Sequence, residues 1–212
     1  MLLAHVLGCD RADLIAHPER TLSDQQAAQY ASLVERAADD VPVAYLIGRR
    51  AWYDLDLYVT PAVLVPRPET ELLLERALAF LAARSDSPRV VDVGTGSGAL
   101  AVGVKKHQPN AVVYAVDISP EALAVARRNA AVYAPGVIFH QGDLLMPLIG
   151  HELFDLIMAN LPYIPSETAR SLPVAKHEPL IALDGGADGL ALIARLLAQI
   201  AVGNMARPGG LI

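Results

Sequence analysis

Cysteine is nearly absent: Cys9 stands alone among 212 residues. No internal disulfide framework can form, which fits a reducing compartment, and the cytoplasm is the expected location. Metal-site patterning is missing too. The six histidines, at 5, 17, 107, 140, 151 and 177, contain no i, i+4 pair and have no companion cysteines, so no metal is expected. Long apolar runs are also lacking. The longest candidate, 190–202, is interrupted by Arg195 and falls short of the roughly 20 residues a membrane span needs. The opening Met-Leu-Leu-Ala-His has no basic leader, and Asp10, Arg11 and Asp13 follow it, so no secretory signal is expected. Nor is there a basic excess. With 17 Lys and Arg against 23 Asp and Glu, the net charge of −6 argues against gripping a phosphate backbone. The pairs Arg49-Arg50, Lys105-Lys106 and Arg127-Arg128 are far apart and read as solvated faces. Neither direct nucleic-acid binding nor membrane association is expected.

What is present is apolar residue content, 53% of the chain, with a mean hydropathy of +0.35. That is enough for one large core and a small accessory domain. The first forty residues read as helical: His17-Pro18 ends one segment, and Ser23 with Gln26 forms a capping-box pattern opening the next. Ala27, Tyr30, Ala31, Val34 and Ala38 then fall on one helical stripe. From 53 to 59 the period becomes two, with Tyr53, Leu55, Leu57 and Val59 on one face, predicting a strand that turns at Thr60-Pro61 and pairs with 62–65. Pro66-Arg67-Pro68-Glu69 leads into a helix.

After the polar stretch 85–88 the pattern becomes regular: apolar Val90-Val91-Asp92-Val93, a glycine-rich turn, a helix to His107, apolar 111–116, and a helix opened by Ser119-Pro120-Glu121. Further strands are predicted at 137–140 and 153–159, a helix at about 189–205, and a strand just beginning at 209–212. Strands alternating with helices predict a parallel sheet covered on both faces, an α/β Rossmann-like fold. The expected domains are an N-terminal helical, partner-binding domain at 1–48, a linking β-hairpin at 49–66 and the α/β domain at 67–212.

Gly94-Thr95-Gly96-Ser97-Gly98 lies between a strand and a helix, where small residues admit a ligand to the backbone and the helix offers unpaired N–H groups. Asp117 closes the next strand, where a carboxylate can accept from ribose hydroxyls. Together they indicate an adenosine-containing cofactor without saying which, so a nucleotide-linked oxidoreductase also fits. The discriminating segment is Asn160-Leu161-Pro162-Tyr163, directly after an apolar strand. An amide or amine nitrogen with a delocalised lone pair is a poor nucleophile. Transfer to it requires the N–H groups held by acceptors, which the Asn160 side chain and the Leu161 carbonyl supply. Pro162 stiffens the loop and Tyr163 offers a flat face. Asp143 with Leu144 reads either as an adenine contact or as a surface turn; Arg67 and Glu69 read either as a clamp or as helix-start chemistry. A non-catalytic partner-binding chain is a further reading.

The sequence also resembles the HemK/PrmC family of protein N5-glutamine methyltransferases almost from end to end. The likeness runs through 2–8 with Pro18-Glu19-Arg20, then 42–48, 64–71, 92–98, 115–119, 160–163 and 177–186. The Arg-Pro-Glu-Thr-Glu at 67–71 and the Glu-Pro at 178 with Gly185-Gly186 are the most particular. The resemblance implies S-adenosylmethionine held by Gly94, Thr95, Gly96, Ser97, Gly98, Asp117, Asp143 and Leu144, with Asn160 beside it. It implies a substrate glutamine, in the Gly-Gly-Gln motif of class I peptide chain release factors, held by Asn160, Leu161, Pro162 and Tyr163, with the helical region engaging the release factor. Where the family usually has Asn-Pro-Pro-Tyr, residue 161 is Leu, a form that also resembles ribosomal RNA adenine dimethyltransferases. An adenine-N6 methyltransferase acting on RNA or DNA is thus the alternative. Against the family pattern, the chain is expected to lack the opening of the helical domain and, in a seven-stranded sheet, the last two strands and a helix.

Overall fold

A computed structural model describes residues 1–84, 87–151 and 153–212; Ser85 and Asp86 of the polar stretch 85–88 lie outside the described residues. The chain divides into two compact units, Met1–Arg49 and Arg50–Ile212.

The first unit is helical: α1 Leu2–Leu7, α2 Arg11–Ala16, α3 Asp24–Ala38 and α4 Val43–Ile47. Asp10 caps α2 by accepting the Asp13 N–H at 2.7 Å. The capping box of α3 is complete: the Gln26 N–H reaches Ser23 Oγ at 3.2 Å, and the Ser23 N–H reaches Gln26 Oε1 at 3.0 Å. Both satisfy helix-end donors that would otherwise lack partners. The buried face of α3 differs from the predicted stripe. Leu33 is buried and Gln26, Tyr30 and Ala37 are half-buried beside it, whereas Ala27, Ala31 and Ala38 are exposed and Val34 is 41% exposed. Alanines make weak markers because their burial contributes little; the long Leu33 side chain sets the face.

A hairpin follows, β1 Arg49–Trp52, which begins at the last residue of the first unit, and β2 Leu55–Tyr58. Leu55, Leu57 and Val59 are buried as the alternation required. Two expectations fail. Tyr53 lies in the hairpin turn at φ +52, and the partner of β2 is 49–52, not 62–65. The second edge of β2 needs no strand because α7 (Pro120–Tyr133) satisfies it: the Tyr58 N–H donates to Asn129 Oδ1 at 2.8 Å, Asn129 Nδ2 donates to the Tyr58 carbonyl at 3.0 Å, and Tyr133 Oη donates to the Asp56 carbonyl at 3.0 Å. Side chains here replace a ladder.

After α5 (Glu69–Ala82) comes the parallel sheet: β3 Arg89–Val93, α6 Ala99–His107, β4 Val112–Asp117, α7, β5 Ile138–Gln141, β6 Phe154–Ala159, α8 Ser166–Ser171, α9 Ala191–Gly203 and β7 Ala206–Leu211. The strand order is β5-β4-β3-β6-β7. Adjacent strand residues feed opposite cores. Val90, Leu156 and Met158 pack with Leu74, Leu81 and the alanines of α6, while Val91, Val93 and Ile157 pack with Leu196 and Ile200 of α9. That is why the strands read as continuous apolar runs. β7 starts at Ala206, three residues before the predicted position; Pro208 and the glycines hid it, and its register with β6 shifts between Phe154 and Leu156. The order reverses at β3, between β4 and β6, so the carboxyl ends of these three strands face the crevice where ligands gather in open α/β sheets.

Candidate active site

The turn from β3 into α6 is built by Gly94, Gly96 and Gly98 at φ +72, +56 and +82, a region where a Cβ is strained. It leans on β4: the N–H groups of Gly94 and Thr95 both donate to the Val116 carbonyl, at 2.8 and 2.9 Å. Asp117, the last residue of β4, accepts the Gly96 N–H at 2.8 Å and the Ser119 N–H at 3.0 Å. The carboxylate and the turn are therefore one hydrogen-bonded unit. Beneath it Asp92, 1% exposed, accepts from Thr95 Oγ1 at 2.6 Å and from the Ala101 N–H at 3.2 Å. Burial pushes its carboxyl up to about 6 against those two donors, and the charge of Asp117 adds to the rise.

A cavity of about 230 Å³ opens over the ends of β3, β4 and β6. Gly94, Thr95, Gly96, Ser97 and Asp117 form one wall; Asp143 and Leu144 form a second; Asn160, Leu161 and Pro162 form a third. Gly98 does not line it. A Cβ there would meet Ala126 Cβ at 3.1 Å, so this glycine lets α6 approach α7. Asp143 is ion-paired with Arg195 of α9. Leu144 is buried at φ +52.

A second cavity, about 320 Å³, shares the 160–162 segment and is lined also by Tyr163, Glu69 and Leu73. Tyr163 is 66% exposed and borders this cavity alone. Leu64, Arg67, Thr70, Asn160, Leu161, Pro162 and Ala182 border both. Asn160 Nδ2 donates to Thr70 Oγ1 at 3.2 Å; among the described residues, Asn160 Oδ1 and the Leu161 carbonyl accept no hydrogen bond. Leu161 is held by its own packing. It is 7% exposed in the α9-side core, and its Cδ2 lies 3.1 Å from where a Gly94 Cβ would stand. Core contact here supplies the rigidity that a proline ring would give, and Gly94 makes room for it.

The Asn160 segment is buttressed from behind. Ile164 bridges to Asp184; the Ile164 N–H donates to the Leu183 carbonyl at 3.2 Å, and the Gly185 N–H to the Ile164 carbonyl at 2.8 Å. Asp184 accepts from Ser166 Oγ at 2.6 Å and from the Gly186 N–H at 2.9 Å, and these bonds hold its carboxyl below the ordinary carboxylate range. Gly185 packs directly on the loop, since a Cβ there would stand 2.7 Å from the Pro162 carbonyl oxygen.

Arg67 is tied to the protein's own Glu178. Its Nη2 lies 2.8 Å from both oxygens of buried Glu178, and its carbonyl accepts the Trp52 indole N–H at 2.9 Å. Glu69 borders the second cavity at the start of α5. Sequence reasoning did not single out Asp92 or Asn129, and it quoted Thr70 and Glu178 only within the segments that carry the family resemblance, without a role. Asp92 carried a signal, a charge inside an apolar strand run; Asn129 Nδ2 reaches the Ser97 carbonyl at 2.8 Å, a pairing across the fold with no local trace. Among the described residues no cluster able to hold a metal is present, and no helix is long and apolar enough to cross a membrane.

Known proteins match both units. The family model described as the PrmC N-terminal domain matches residues 1–48, and one described as a methyltransferase domain matches 90–175. A release factor glutamine methyltransferase of Xylella fastidiosa is 44% identical, covering 99% of this chain and 75% of that protein. One from Deinococcus radiodurans is 43% identical, covering 99% and 74%. Among solved structures, a methyltransferase from Pyrococcus furiosus superposes with a TM-score of 0.53 at 21% identity, over 84% of this chain and 76% of that one. A SAM-dependent methyltransferase from Agrobacterium tumefaciens gives 0.53 at 18%, over 77% and 50%. These two speak for the fold, and the sequence relatives for the family: the chain belongs to the release factor glutamine methyltransferases.

Proposed function

We propose that this chain transfers a methyl group from S-adenosylmethionine to the side-chain amide nitrogen of the glutamine in the Gly-Gly-Gln motif of class I release factors. The carrying observation is the shared wall. Asn160, Leu161 and Pro162 border both a cavity lined by the glycine turn and a second cavity lined by exposed Tyr163.

The first cavity fits an adenosine-containing methyl donor. A Cβ at Gly96 would meet nothing within 4 Å, so that main chain stands open beside the Asp117 carboxylate. When bound, S-adenosylmethionine supplies an electrophilic methyl group. Asp117 keeps lone pairs that would accept from ribose hydroxyls, and Leu144 would pack on the base. Asn160 Oδ1 and the Leu161 carbonyl accept the two amide N–H groups of the substrate, turning its nitrogen lone pair toward the first cavity. As positive charge develops on that nitrogen the two oxygens stabilise it, and the surplus proton leaves to solvent, so no strong base is needed. Tyr163 gives the planar amide a face to lie on.

The helical unit, 1–48, engages the release factor, the 49–66 segment links it to the transfer domain at 67–212, and the cytoplasm is the place of action. The test is incubation with labelled S-adenosylmethionine and purified release factor, followed by mass mapping. Label on the glutamine amide is expected. Label in RNA or DNA adenine, or none in the release factor, would overturn the proposal.

A further inference from the structure

Thr70 has no part in the chemistry above, yet among the described residues it is the sole partner of the Asn160 side chain. An asparagine amide has an accepting end and a donating end, and only the oxygen can hold a substrate N–H. Asn160 is exposed at the end of β6, and its terminal torsion is soft. Without an anchor, it would present nitrogen as readily as oxygen.

The anchor itself is rigidly based. Thr70 lies in the first turn of α5, and its N–H donates to the Arg67 carbonyl at 3.1 Å. That same carbonyl takes the Trp52 indole N–H, and the Arg67 guanidinium is held by Glu178. Thr70 also borders both cavities. We propose that Thr70 is a positioning residue for methyl transfer, its hydroxyl holding the Asn160 amide with the oxygen toward the acceptor nitrogen. A hydroxyl can donate as well as accept, but the reversed amide would set donor against donor at the substrate. Thr70 and the substrate together therefore select one orientation. The inference rests on the role given to Asn160 above.

Thr70→Val removes the hydroxyl and keeps the shape; Thr70→Ser keeps the hydroxyl. With release factor and labelled S-adenosylmethionine, T70V is expected to lower kcat by about tenfold or more, with the KM for S-adenosylmethionine and the unfolding midpoint unchanged, while T70S stays within about threefold of the parent. In an Asn160→Ala background T70V should add nothing. Nitrogen-15 NMR of the full chain alone reads the same bond without turnover: the Asn160 Nδ2 protons should exchange several-fold faster in T70V. A T70V kcat within about twofold of the parent, an equal loss in T70S, or an unchanged Asn160 amide would overturn the inference. If Asn160→Ala itself transfers normally, the role of Asn160 fails; if Asn160→Ala is dead while T70V is silent, the Thr70 inference alone fails.

Discussion

Gly185→Ala is a clean mechanical test of the loop proposed to hold the substrate. Gly185 is not among the residues with positive φ, so alanine meets no backbone penalty there; what it meets is space already filled. The new Cβ would stand 2.6 Å from the Gly189 carbonyl oxygen, 2.7 Å from the Pro162 carbonyl oxygen and 2.8 Å from Tyr163 Cα. All three are main-chain atoms, and no side chain can swing aside. Restoring an ordinary 3.4 Å separation from the Pro162 oxygen displaces one side by about 0.7 Å. Overpacking of this kind costs about 1–3 kcal/mol of stability. A misplacement approaching 1 Å costs up to about a hundredfold in rate, so kcat should fall by about ten- to a hundredfold. The glycine turn and Asp117 belong to other strands, and S-adenosylmethionine affinity should stay within about threefold. Denaturant unfolding, calorimetry with S-adenosylmethionine and labelled methyl transfer read the three quantities. Gly150→Ala is the control: at φ +85 with nothing within 4 Å, it should cost about 1 kcal/mol of stability and leave transfer alone. Wild-type kcat in Gly185→Ala, or a loss confined to cofactor affinity, would refute the reasoning.

Asp92 makes stability depend on pH. Its carboxyl titrates near 6 in the fold against an ordinary 3.8, so the folded state holds the proton more tightly. Its contribution is therefore full below about 3.8 and lost as pH rises through about 6, a fall of up to about 3 kcal/mol that Asp92→Asn should remove. Unfolding free energies of both proteins between pH 4 and 7 measure the difference; a flat difference contradicts the assignment. Arg67→Ala leaves the Glu178 carboxylate buried without its guanidinium and should destabilise by about 2 kcal/mol, discounted because Arg67 is partly exposed. A denaturation midpoint unchanged from the parent would show that the pair contributes little.

Much of this architecture was readable in the residues. Ser119-Pro120-Glu121 marked the start of α7 because capping chemistry is local, and the apolar runs of β3, β4 and β6 marked buried parallel strands because both faces are covered. The hairpin misled because Tyr53 continues the alternation of 55–59 while sitting in the turn, and because the edge of β2 is satisfied by side chains of α7. The stripe on α3 misled because alanine is apolar at any position. At the site, the Gly94 turn and the Asn160 segment could be named from their position after strands. Their common wall, the anchor at Thr70 and the support from Gly185 arise from contacts between distant segments, which no local pattern encodes.

Asn160→Ala bears most directly on how the acceptor nitrogen is held. The variant removes one of the two oxygens proposed to accept the substrate N–H groups and leaves the glycine turn and Asp117 untouched. Methyl transfer to release factor should fall by at least about a hundredfold, with S-adenosylmethionine affinity within a few-fold of the parent. Transfer at a near-normal rate would contradict the account.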